Sequence, residues 1–335
     1  MIDSAWLEDR IGSGFPDEDL EAVLTCPPEE AQPVFAAARE IRERHFGRKA
    51  YIRAVIEFSN RCRCNCHYCG MRRDNGSVGR FTLPAETILD AARTAREAGI
   101  RTFFLQSAES DDYSAEWLAG IIREISSIGM SVLLCVGVHD VSDLDLWRGA
   151  GASKFILKHE TADPGLFERL KPGLTLERRI QELETLREHG FAIGSGPLLG
   201  LPGQTVGTLV SDLRLLEALG VEMSSVSVFL PAEGTPLARA PHGDPDLGLR
   251  FIAAMRLLLQ RTLIPATSTF ERLRPGGQLD CFMAGANVIT VNMTPSAVRD
   301  EYELYTKRFF VSLEHARGVI RAAGLAEAAE GLPDV

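Results

Sequence analysis

The cysteines of this 335-residue chain are spread unevenly. Cys62, Cys64, Cys66 and Cys69 share one short segment, whereas Cys26, Cys135 and Cys281 stand alone. An odd number of cysteines with one dense cluster suits a reducing compartment and a local metal site better than a disulfide framework. Cys62, Cys66 and Cys69 carry the spacing C-x3-C-x2-C. Three thiolates in one loop can each hold one iron of a 4Fe-4S cube, whereas a cube ligated entirely by protein takes four cysteines. The remaining iron stays open. An open iron on a reducible cluster can chelate the amino and carboxylate groups of S-adenosylmethionine and bring its sulfonium close enough for one-electron cleavage. The products are methionine and a 5'-deoxyadenosyl radical. In such chemistry the cofactors carry the difficult step, and the protein supplies orientation and electrostatics. Zinc is the competing reading, since Cys64 and His67 could complete a four-ligand knot with two of the other cysteines. Structural zinc sites usually join two separated ligand pairs, however, and no second pair follows this loop. Cys64, one residue removed from Cys62, is awkwardly placed to share a cube with it and reads as a bystander thiol.

The elements that must position this loop follow from periodicity. Residues 1–48 read as a helical cap, with helices expected over Asp17–Thr25 and Pro28–Phe46. From Tyr51 short apolar runs alternate with longer amphipathic ones, as in βα units. Strands are predicted at Ile52–Phe58, Thr102–Gln106, Val132–Val136, Lys154–Leu157, Phe191–Gly194, Ser225–Phe229, Ile264–Ala266 and Asn287–Val291. Helices are predicted between them, among others at Ala85–Ala98, Ala115–Ile128, Leu176–His189, Thr208–Leu219 and Asp246–Thr262. This pattern fits an α/β fold, a (β/α)8 TIM-type barrel over 49–325 followed by a tail at 326–335, better than an open doubly wound sheet, which strand counting alone leaves open. The cysteine segment directly follows the first strand, which in a parallel barrel is the catalytic rim. Pro231–Asp246, the longest loop-like interval, reads as a surface connection, with a substrate lid as the alternative. Met255 and its leucine neighbours read as core.

Composition excludes other classes. There are 46 acidic against 36 basic side chains, a net charge of -10 and 45% hydrophobic residues, which describe a globular protein without the basic footprint of a nucleic-acid binder. No run approaches the ~20 apolar residues of a membrane helix, and Met1–Glu18 has no apolar signal core. A cytoplasmic monomer is expected.

Several motifs resemble the radical S-adenosylmethionine (SAM) superfamily, in particular the group of biotin synthase, methylornithine synthase and the iron-iron hydrogenase maturase HydE. The HydE family is the most similar, through Ile56-Glu-Phe-Ser-Asn60, Cys66-His-Tyr-Cys-Gly-Met-Arg-Arg-Asp-Asn75, Leu105-Gln-Ser107, His159-Glu-Thr-Ala162, Gly200-Leu-Pro-Gly-Gln-Thr205, Ile264-Pro-Ala-Thr267 and Gly285-Ala-Asn-Val-Ile289. The resemblance spans roughly Arg53 to Tyr305 and implies a complete (β/α)8 barrel, a 4Fe-4S cluster on Cys62, Cys66 and Cys69, and SAM as cofactor. It implies that Tyr68 lies against the adenine. Gln106, Ser107 and Ala108 would hold the cofactor's amino group through their carbonyls. Glu160 would accept from the ribose hydroxyls, Arg179 would bind the methionine carboxylate, and Gly194–Gly203, including Leu199, would line the adenosyl moiety. An electron donor such as flavodoxin or ferredoxin is the implied partner.

Other positions depart from the HydE pattern. Lys158 stands where that family usually has arginine, which keeps the charge but loses the bidentate fork. Leu133, Cys135 and Val138 replace hydroxyl and carboxylate groups, and Phe270-Glu-Arg272 replaces a small stretch. Arg53, Lys158, Thr267, Ser268 and Tyr302 would still line the barrel mouth and bind a small amino-acid-derived or sulfur-containing substrate. Cys135 reads as an inert interior thiol. The expected function is therefore a HydE-like radical SAM enzyme. The alternatives are a methylornithine-synthase-like mutase or other tailoring enzyme, and a non-catalytic metal-binding protein.

Overall fold

The computed structural model describes residues 2–333, so the first residue of the expected 1–48 cap and the last two of the expected 326–335 tail lie outside the described residues. Eight parallel strands build the barrel: β1 (Lys49–Ser59), β2 (Thr102–Ser107), β3 (Ser131–Cys135), β4 (Ala152–Ile156), β5 (Ala192–Ser195), β6 (Met223–Ser224), β7 (Pro265–Ala266) and β8 (Val288–Asn292). Their order is β6-β5-β4-β3-β2-β1-β8-β7, and a parallel bridge between Met223 and Leu263 joins the two ends. After its first residue β1 is buried along its whole length. Its continuous burial follows from having helices outside and side-chain layers inside. Register sets those layers. Glu57 pairs with Gln106, Gln106 with Cys135, and Arg53 with Thr290, so neighbouring strands deliver polar groups to common levels near the mouth.

Helices α1 (Ser4–Ser13), α2 (Asp17–Thr25) and α3 (Pro28–Phe46) cover the barrel wall, with α2 and α3 packed on α9 (Val206–Leu219) and α10 (Pro245–Leu259). Between strands run α4 (Ala85–Glu97), α5 (Ala115–Ser127), α6 (Val141–Ala150), α7 (Pro164–Leu170) and α8 (Leu176–Glu188). After β7 come α11 (Ser268–Leu273) and α12 (Gly277–Met283), and α13 (Leu313–Ala322) follows β8. Side-chain oxygens cap the helices that matter for the site. Asp163 accepts from Leu166 N with Pro164 in the first turn of α7, and Thr175 accepts from Arg178 N, which fixes where α8 presents Arg179. Residues beyond α13 close the bottom of the barrel. Ala326–Glu327 pairs in parallel with Lys49–Ala50, and Ala328 and Leu332 pack with Phe46, Tyr51 and Val288. Met255 is fully buried in the main core.

One strand differs from expectation. The run Ser225–Phe229 does not enter the barrel. Met223–Ser224 does, while Ser227–Val228 pairs with Leu198–Leu199 in a separate ladder. The cause is a close backbone crossing, since a Cβ on Gly196 would lie 1.9 Å from Ser225 O. The chain leaves the barrel over that glycine and raises a second layer above β5 and β6.

Candidate active site

The cysteine loop is held from every side. Asn60 Nδ2 donates to Gly79 O at 2.7 Å and Glu301 O at 2.6 Å, while its Oδ1 accepts from Phe81 N at 2.8 Å. Arg80 donates to the carbonyls of Asn60, Met71, Arg72 and Asn75. Asn75 Nδ2 donates to Gly70 O at 2.8 Å, and a Cβ on Gly70 would lie 2.5 Å from Glu303 O. Backbone donors then anchor the loop to its surroundings: Arg63 N to Glu109 O after β2, His67 N to Leu170 O at the end of α7, and Leu237 N to His67 O. The last bond shows that the segment expected as a surface connection at 231–246 folds over the cysteine loop. The residues of the two motifs around the cysteines thus serve the loop's shape.

The thiols of Cys62, Cys64, Cys66 and Cys69 are half-buried and open into a cavity of about 370 Å³ at the C-terminal end of the strands. Burial pushes the Cys66 thiol up and the Cys69 thiol up to about 12, whereas the hydrogen bond from Cys64 draws Cys62 down. Desolvated thiolates need a cationic partner to persist. No three His, Cys, Asp or Glu side chains among the described residues stand close enough to share a single ion. A cube offers a separate iron to each thiolate, so this donor set suits a cluster better than one zinc ion.

Across the cavity stand Glu160 and Arg179. Glu160 follows β4 with φ at +63°, its Oε2 lies 3.4 Å from Lys158 Nζ, and Tyr68 stands beside its carboxylate. Burial alone would raise this carboxyl, but Lys158, Lys171, Tyr68 and Arg179 outweigh it and hold Glu160 below the usual carboxylate range. Arg179, expected to bind the methionine carboxylate, has a side chain only 3% exposed. Its Nε stands 3.3 Å from Glu182 yet is left without a hydrogen bond. A buried carboxylate and an under-bonded guanidinium on one wall match the hydroxyls and carboxylate of a nucleoside-amino acid conjugate.

Deeper in the barrel Arg53 donates through Nε to Thr290 Oγ1 at 2.9 Å and lies over the Phe104 ring at 4.8 Å, and burial lowers it to about 10. No carboxylate among the described residues pairs with it. Ser268 Oγ and Tyr305 OH are 3.1 Å apart, whereas the Thr267 hydroxyl is engaged by Val226 O and Thr269. Lys158 also donates to Pro197 O at 3.1 Å. Ser107 uses its hydroxyl on Ala108 O and Tyr113. Cys135 sits on the wall between Arg53 and Lys158, its thiol pushed up to about 11 by burial.

Of the expected site residues, Cys62, Cys66, Cys69, Tyr68, Gln106, Ser107, Ala108, Glu160, Arg179, Arg53, Lys158, Thr267, Ser268 and Tyr302 line this cavity, whereas of the expected stretch Gly194–Gly203 only Leu198 does. Leu199 is wholly buried in the main core, and strand alternation turns its neighbour Leu198 to the cavity instead. Sequence reasoning missed Glu57, Lys171, Thr290 and Arg308, which share the wall. Only Glu57 lay inside a recognised motif. Lys171 and Arg308 sit in mixed segments with no signal that separates them from surface cations.

Residues 56–216 match the Radical SAM superfamily and residues 225–325 the Biotin and Thiamin Synthesis associated domain. The chain is 41% identical to the FeFe hydrogenase maturase subunit HydE of Thermotoga maritima, over 84% of this chain and 80% of that protein. It is 30% identical to the 3-methylornithine synthase of Methanosarcina acetivorans, over 84% and 81%. The crystal structure of a methylornithine synthase superposes with a TM-score of 0.85 at 24% identity, covering 96% of this chain and 97% of the other, which shows the shared fold.

Proposed function

Because this chain belongs to the radical SAM superfamily and is a radical SAM enzyme, we propose that Cys62, Cys66 and Cys69 hold its 4Fe-4S cluster and that the enzyme acts as HydE does, in hydrogenase cofactor maturation. When bound, cluster and SAM supply a 5'-deoxyadenosyl radical, which acts on a small amino-acid-derived or sulfur-containing substrate. Glu160 holds the ribose hydroxyls and Arg179 the methionine carboxylate. Tyr68 keeps the Glu160 carboxylate aimed across the cavity. The strand-end carbonyls of Gln106, Ser107 and Ala108 face the cofactor's amino group. Arg53 receives the substrate carboxylate, with Ser268, Tyr305 and Tyr302 beside it. Leu133, Ile156 and Val288 pack below and exclude water from the bottom of the barrel. One observation carries this reading: three thiols, an adenosyl-type pair and an unpaired buried guanidinium all open into one cavity. The 41% identity to HydE favours maturation chemistry over a mutase.

The direct test is anaerobic. Reconstituted, reduced protein incubated with SAM is expected to release 5'-deoxyadenosine, or an adenosyl group attached to substrate sulfur when a cysteine-derived ligand is supplied. Deuterium transfer from a free amino acid into 5'-deoxyadenosine would instead identify a mutase-like enzyme, and an intact cofactor would end the proposal. Arg53→Gln separates the two ends of the cavity. Losing a charge-assisted contact worth roughly 1.5–3 kcal/mol should weaken substrate binding by about tenfold or more. SAM cleavage without substrate should stay near the wild-type rate, and equal loss of both would refute the assignment of Arg53 to the substrate.

A further inference from the structure

Glu160 occupies the left-handed region, φ +63°, where a residue with a side chain is disfavoured and must be held by its surroundings. Two wholly buried groups flank it without lining the cavity. His159 and Asp212 both have fully buried side chains. Ser195 Oγ donates to Leu157 O at 3.0 Å, so it can only accept from His159 N at 3.1 Å and from His159 Nδ1 at 2.9 Å. That makes Nδ1 the donor and turns Nε2 toward Asp212 Oδ1, 3.3 Å away but out of line for a hydrogen bond. Asp212 Oδ1 also accepts from Ala162 N. One carboxylate on α9 therefore holds the chain by a hydrogen bond at Ala162, shortly after Glu160, and lies against the imidazole of His159, immediately before it. The Glu160 backbone is held as well, its N–H by Gly196 O and its carbonyl by Leu198 N.

An acidic side chain here is costly. Asp212 occupies the buried face of α9 among leucines and valines, where burial raises its carboxyl above the ordinary range. An apolar residue would pack there without that desolvation. Its retention makes sense if its purpose is the conformation of the 159–162 turn.

We propose that Asp212, acting through its hydrogen bond from Ala162 N and its packing against His159, is a positioning residue that locks Glu160 in its left-handed conformation and so aims the carboxylate at the cofactor's adenosyl end. The proposal rests on the reading of Glu160 as a SAM contact. The test measures SAM affinity of the cluster-loaded full chain by calorimetry. Asp212→Ala is expected to weaken binding at least tenfold with iron content unchanged. Asp212→Asn, which keeps an acceptor for Ala162 N, recovers most of the loss. On a Glu160→Gln background Asp212→Ala adds less than twofold, because the group it positions is already disabled. Should Asp212→Ala fail to fold, Ser195→Ala releases the brace from the His159 end and enters the same cycle. Affinity within twofold of wild type, or losses that multiply in the double variant, would overturn the brace. A wild-type chain that holds its cluster yet binds no SAM would instead sink the functional reading beneath it.

Discussion

Alanine at Cys62, Cys66 or Cys69 abolishes the cluster, while alanine at Cys64 leaves it in place. Anaerobically reconstituted wild-type protein should carry about four irons per chain, and each of the three variants less than one, because a cube held by two thiolates has lost the coordination that anchors it. The loop cannot compensate by sliding. Asn75 and Arg80 bind the carbonyls of Gly70 and Met71 at its end, Asn60 pins its start to Gly79 and Glu301, and Glu303 crowds Gly70, so Cys64 has no route into a vacated corner. Iron and sulfide analysis together with low-temperature spectroscopy of the reduced protein reads the result. Loss of iron in Cys64→Ala as complete as in Cys66→Ala would break the three-thiolate assignment. Retention of one tightly held zinc in the wild type would favour a binding protein.

The second large effect lies near the end of β1, just before the cysteine loop. Glu57, 2% exposed, receives both terminal nitrogens of Arg308, a residue whose side chain is 8% exposed. Asn292 and Thr294 donate to the same carboxylate, and Arg308 also donates to Tyr302 O and lies over the Tyr302 and Phe310 rings. The pair joins β1 to the strap that follows β8 and carries Tyr302 and Tyr305. Arg308→Met leaves Glu57 buried and uncompensated, which should cost about 3–5 kcal/mol. Urea unfolding of the cluster-free protein reads this as a lowered midpoint at unchanged slope. Glu57→Gln added to Arg308→Met should recover part of the loss, since the stranded charge is gone. A cost below about 1 kcal/mol for Arg308→Met would show that the strap is held by its apolar contacts instead.

Much of this molecule is readable along the chain. The ligand set is local, since three cysteines in C-x3-C-x2-C spacing after a strand need no long-range information to be recognised. Helices α2 and α3 end where period and prolines place them, and helices α4, α5 and α8 lie within one residue of the expected bounds. The expected barrel strands share the same logic, except that Ser225–Phe229 has the composition of a barrel strand and is displaced by a crossing of two backbones at Gly196. Short α6, α7 and α12 lack enough turns for a periodic signal.

The succession of strands along the chain and the C-x3-C-x2-C loop were thus determined by the sequence itself, because each depends on neighbours a few residues away and on a two- or 3.6-residue period. Tertiary structure alone brought Lys171, Arg308 and the Glu57 carboxylate to the cavity. Glu57 and Arg308 are 251 positions apart and meet only because the barrel closes between β1 and β8. The exchange of Leu198 for Leu199 and the hold of Asp212 on Ala162 N have the same origin. Each is a choice of which wall a side chain packs against, and that is settled when the layers come together rather than by any local pattern.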